Sequence, residues 1–150
     1  MPSHPDDAEF IAELLRRFGK GPPENQGEAE VVAACRRYGW TAVLDDEQGR
    51  GAATEDRVAH VYVATLLAAA AAHGKLTPTQ AWKLHVAFQR RGRFSPLKPD
   101  PAYKAAFVDF AAKLRRLREL RGEPDWPLLL AEPGLDNLLL ELLREFRRVP

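Results

Sequence analysis

One cysteine among 150 residues leaves no internal disulfide to staple the chain. The fold must therefore come from burial alone, and the expected setting is a reducing one, the cytoplasm. Long apolar runs are missing as well. The longest, Val61 to Ala72, has 12 residues and is largely alanine, too short to span a bilayer, so no membrane partner is expected. The N-terminal MPSHPDDAEF is acidic and has no apolar core of the kind an export signal needs. There is no Walker loop, no glycine-rich dinucleotide turn and no Ser-His-Asp pattern. His60, His73 and His85 stand at no ligand spacing with Cys35, which argues against a zinc site. Cys35 itself falls on the inner face of a helix pattern and reads as a small buried hydrophobe.

What the chain does have is ordinary globular composition, 45% hydrophobic and 29% charged, with an uneven distribution of charge. Residues 1–80 carry 8 basic and 12 acidic side chains, residues 81–121 carry 11 and 3, and residues 122–150 carry 3 and 6. The net values are −4, +8 and −3. An acidic lobe followed by a basic segment suits a metal centre beside a polyanion-binding surface. A solvated, Arg-rich helix face explains the same pattern with no ligand at all.

The hydrophobic pattern predicts a mostly helical chain with two strands in its first half. Asp6 or Asp7 caps a helix running to about Phe18, with Phe10, Ile11, Leu14 and Leu15 on its apolar stripe. A second helix spans about Glu28 to Tyr38 and is stopped by Gly39. Trp40 to Leu44 reads as a short buried strand, Asp45 to Ala53 as a loop with one helical turn, and Val58 to Val63 as a second strand parallel to the first. A helix over Thr65–His73 follows. Thr77, Pro78 and Gln80 then form a capping box that opens a helix reaching Gly92. Phe94 to Pro101 is a Pro-rich connection. A long helix covers about Ala102 to Arg121, EPDWP (123–127) breaks the chain, and a last helix covers about Gly134 to Arg147. Tyr38, Trp40, Trp82 and Phe88 are expected as core or rim aromatics.

The richest stretch is GEAEVVAACRRYGWTAVLDDEQGR, residues 27–50. Glu28 and Asp46 are 18 positions apart, so a helix-then-strand unit returns both acids to one end of a sheet. Hard divalent ions call for oxygen ligands gathered in this way. Each acid also has a ligand-free explanation. Glu28 and Glu30 are favourable at a helix N-terminus, and Asp45 and Asp46 are common turn and cap residues.

GEAEVVAA (27–34) with AVLDDEQGRGAA (42–53) resembles the C-terminal half of a PIN domain, in particular prokaryotic PIN-like proteins with a GEAEAI helix and an LDD strand end. VYVATLL (61–67), HGKLTPTQAW (73–82) and RRGRFS (90–95) continue the likeness, which covers about residues 26–96. The resemblance implies an α/β fold, predominantly helical, built as a truncated PIN-like parallel sheet flanked by helices over residues 1–96. Residues 97–150 would be an added C-terminal helical segment.

It further implies nuclease ancestry and a Mg²⁺- or Mn²⁺-dependent endoribonuclease of the toxin type. Glu28 and Asp46 would be the catalytic metal ligands, with Glu30 and Asp45 as neighbours able to share that role. Thr65 would fall where a hydroxyl lines the site. Apart from the resemblance, Arg90, Arg91, Arg93, Arg115 and Arg118 of the basic segment are the candidates to hold RNA phosphates. The family opens on a hydrophobic strand ending in Asp, and residues 1–27 hold no such strand. The sheet edge left open needs a cover, for which the N-terminal helix, a second copy or an antitoxin are the candidates. That departure keeps a second reading in play, a catalytically incompetent PIN remnant that binds protein or nucleic acid. A helical nucleic-acid binder built around Thr77–Arg91 is a third.

Overall fold

The computed structural model describes residues 4–19, 26–91, 95–121 and 134–148. They form a predominantly helical α/β chain with one small parallel sheet. The elements are α1 (Ala8–Phe18), α2 (Gln26–Tyr38), β1 (Ala42–Val43), α3 (Glu47–Glu55), β2 (His60–Val61), α4 (Val63–Ala72), α5 (Pro78–Arg90), α6 (Pro101–Arg121) and α7 (Gly134–Arg148). Strands β1 and β2 pair, and the Ala42 N–H donates to Ala59 O at 2.8 Å. No helix among the described residues is long and apolar enough to cross a membrane.

The chain divides into two compact units, Met1–His60 and Val61–Pro150. The sequence analysis places its boundary at 96–97 instead. The reason for the difference lies in α4. Its alanine-rich body (Ala64, Ala68, Ala69, Ala72) is buried in one cluster with Trp82, Phe107, Phe110, Leu114 and Leu139. An alanine helix offers little bulk of its own, so large side chains from α5, α6 and α7 close on it, and the segment after β2 belongs with the C-terminal helices.

In the first unit, α1 turns Ile11, Leu14 and Phe18 inward, and Gly19 ends it in a left-handed conformation. Helix α2 buries Ala29, Val32, Ala33 and Cys35. Gly39 takes φ 69°, and the Trp40 N–H bonds back to Cys35 O at 3.1 Å. This is the glycine stop that the sequence predicts, and it satisfies a carbonyl the helix end would leave open. Ion pairs tie the helices on the outside. Arg37 makes two bonds to the Asp7 carboxylate, at 3.0 and 2.7 Å, and Arg17 bonds both Glu55 and Asp56. Solvent screens such exposed pairs, so the apolar face carries the packing.

Three expectations in this unit are corrected. Residues 45–53 are not a loop with a single helical turn, because Glu47–Glu55 is a regular helix. Two glycines within it weaken its helical signal. The Asp46 cap and the burial of Gly49, Ala52 and Ala53 hold it in place. The strands are two residues long, shorter than the hydrophobic runs suggest. Trp40–Leu44 is not buried throughout, since Trp40 is 50% and Val43 38% exposed.

Candidate functional site

The first unit brings Glu28 and Asp46 under each other's influence. Glu28 sits in the first turn of α2, where the helix dipole favours an acid. Asp46 is the N-cap of α3, and its Oδ1 accepts from the Gln48 N–H at 2.7 Å. The chain after β1 therefore delivers Asp46 to the start of one helix while α2 delivers Glu28 from the start of another. Arg50 steadies this turn by donating from Nη1 to Leu44 O at 2.9 Å.

The two acids are not equivalent. Asp46 is exposed, whereas Glu28 is half-buried and its Oε2 is buried with no hydrogen-bond partner in the protein. Burial pushes the Glu28 carboxyl above the usual carboxylate range, and the like charge of Asp46 pushes it further the same way. A buried carboxylate oxygen with no donor is costly in an ordinary packing role. Gly49 leaves space beside it. A Cβ built there would lie 3.6 Å from Glu28 Oε2 and 3.5 Å from Leu44 Cδ2. An orphaned oxygen, a neighbouring carboxylate and a gap kept open by a glycine together fit a small hard cation.

Glu30 is two positions along α2 from Glu28, about 200° around the helix, and accepts from Gln26 Nε2 at 3.0 Å. Asp45 is half-buried next to Asp46. Among the described residues no three His, Cys, Asp or Glu side chains gather as metal ligands.

Thr65 belongs to the second unit and is fully buried in α4, where its hydroxyl donates to Asp136 Oδ1 at 2.6 Å. The same oxygen accepts from the Tyr62 N–H at 3.2 Å, so Asp136 of α7 serves the start of α4. Arg90 and Arg91 are exposed at the end of α5. Arg115 is exposed on α6, with Glu119 at 3.7 Å, and Arg118 is half-buried. Arg93 lies outside the described residues.

Sequence reasoning missed Gly49, Asp136 and the setting of His85. Nothing in the run GRGAA marks its first glycine as the one beside an acid. Asp136 and Thr65 are 71 positions apart, with no local pattern joining them. His85 is 1% exposed, stacks on Trp82 with ring centroids 5.1 Å apart, and shares a 2.7 Å hydrogen bond between Nε2 and Ser95 Oγ. Comparison with known proteins adds no assignment, since no family model, curated protein or solved structure matches the chain.

Proposed function

We propose that this chain is a PIN-like protein of nuclease ancestry whose Glu28–Asp46 pair binds a divalent cation, Mg²⁺ or Mn²⁺. The observation that carries this reading is the buried, unpartnered Oε2 of Glu28, whose carboxyl also feels the charge of Asp46. Mg²⁺ is commonly held by one or two carboxylates, with waters and substrate phosphate filling the other positions. When bound, such an ion supplies Lewis acidity toward a phosphodiester oxygen and lowers the pKa of coordinated water. Glu28 would contribute the inner oxygen and Asp46 the outer one, while Gly49 keeps the approach clear of side chain. RNA is the substrate class that the ancestry implies.

A second reading has its own support, a PIN-like remnant that binds partners without hydrolysis. With no three His, Cys, Asp or Glu side chains gathered as metal ligands among the described residues, and Glu30 about 200° around α2 from Glu28, the donor set is lean for hydrolysis. Under either reading the cation site is the feature to test.

Calorimetric titration of the chain with Mn²⁺ should give saturable one-site binding that Asp46→Asn weakens about tenfold or more. Asparagine caps helices about as well as aspartate, so this substitution removes charge with little loss of α3. Equal binding by both proteins would refute the site. Mn²⁺-dependent RNA cleavage that disappears in Asp46→Asn would favour the nuclease, and binding without cleavage the remnant.

A further inference from the structure

The second unit has a cleft on α5 that the carboxylate pair does not explain. Its volume is about 580 Å³. Trp82, Val86 and Pro99 contribute apolar surface, and Lys83, Arg90 and Arg91 line it with positive charge. The residues involved recur along α5 at positions 82, 83, 86, 87 and 90 and at its C-cap, 91, a stripe along one helix face. That stripe runs about 13 Å, or two and a half turns. Beyond Pro101 a second concavity of about 500 Å³ continues along α6, lined by Lys104, Ala105, Val108 and Ala112 among others. Pro101 lines both, so the two are neighbours at that residue, and the pair is called the trough.

Charge and shape select the occupant. Among the described residues no acidic side chain lines the first cavity, and Lys83, Arg90 and Arg91 form no ion pair with another of them. In the second, Asp109 has Lys113 at 3.9 Å. A trough with an apolar floor of small residues and a cationic rim matches a helix with one apolar and one acidic face. Single-stranded RNA fits less well. It stacks its bases on open aromatic rings, whereas Trp82 is 7% exposed, with its indole face against His85 and Phe107. We propose that this trough docks an acidic amphipathic helix of a partner protein, independently of any cation bound in the first unit.

The test uses the full chain and a fluorescein-labelled, N-acetylated peptide of about 18 residues. The peptide has Leu at helical spacing and Glu with Ala elsewhere. Fluorescence anisotropy should show saturable binding that weakens with salt. Arg90→Glu with Arg91→Glu should weaken it about tenfold or more. Ala87→Glu, an exposed helix position on the lining, should do the same while circular dichroism stays unchanged.

Three results would overturn the proposal. One is absence of saturable binding. Another is equal binding by a peptide with Lys in place of Glu, which would mean unspecific apolar adhesion. The third is an RNA oligonucleotide that binds more tightly than the peptide and loses affinity in the same variants, which would make the trough a polyanion surface.

Discussion

Glu28→Gln should raise the melting temperature of the metal-free protein at pH 7 and abolish its response to Mn²⁺. The sign follows from the raised pKa of Glu28, caused first by burial and then by Asp46. The folded protein holds this proton more tightly than the unfolded chain does. Its stabilising contribution is full below the ordinary carboxylate pKa and is lost as pH rises through the raised one. At neutral pH the ionised Glu28, with Oε2 buried and unpartnered, costs stability that an isosteric amide does not.

Solvent reaches part of the side chain and screens the effect, so the gain should be about 1 kcal/mol, or roughly 2–4 °C. Near pH 4 the two proteins should converge. Excess Mn²⁺ should reverse their order, because an ion at 100 times its Kd stabilises the wild type by about 2.7 kcal/mol and leaves the variant unmoved. Scanning fluorimetry over pH, with and without Mn²⁺, reads both effects. A lower melting temperature for metal-free Glu28→Gln at pH 7 would mean that the carboxylate makes a stabilising contact instead.

The second large effect concerns acid stability of the C-terminal unit. Burial pushes the pKa of His85 down from 6.5 to about 4. The ring packs against both Trp82 and Phe107, Nε2 is bonded to Ser95 Oγ, and Nδ1 is buried without a partner. The unfolded chain therefore binds a proton that the folded chain refuses. Stability is intact above pH 6.5 and falls as pH drops toward 4, by about 3 kcal/mol over the window at 1.36 kcal/mol per pH unit.

His85→Gln keeps a group able to bond Ser95 and has nothing to protonate. It should be less stable than the wild type at pH 8, where ring packing counts, and lose much less between pH 6.5 and 4. Urea unfolding at several pH values gives the difference directly, since the carboxylates that titrate in the window are common to both proteins. Parallel pH profiles would show that His85 does not titrate as described.

Parts of this architecture were legible in the sequence because the signals were local. The Thr77–Gln80 capping box is present in full, with both reciprocal bonds formed. Gly39 ends α2 in the left-handed region, and Cys35 is buried as a free thiol. Helical spacing also anticipated the buried face of α1, with Ile11 and Leu14 inside.

What escaped depends on partners distant in sequence. Helix α3 owes its existence to its cap and to buried small residues more than to intrinsic propensity. The unit boundary falls after His60 because α4 is packed by side chains up to Leu143. The paired acids could be named from spacing, yet the burial that separates Glu28 from Asp46 in character could not. Thr65 shows the same limit, since its hydroxyl is taken up by Asp136 from the far end of the chain.

The central claim, a cation held by Glu28 and Asp46, is tested most directly by adding substoichiometric Mn²⁺ to ¹⁵N-labelled protein. The paramagnetic ion broadens nearby amide signals, so the position of broadening locates it. The account predicts that Glu28 and Asp46–Gly49 fade first, and that Asp46→Asn abolishes the effect. Uniform broadening, or first loss at another acidic pair such as Glu55 and Asp56, would contradict it.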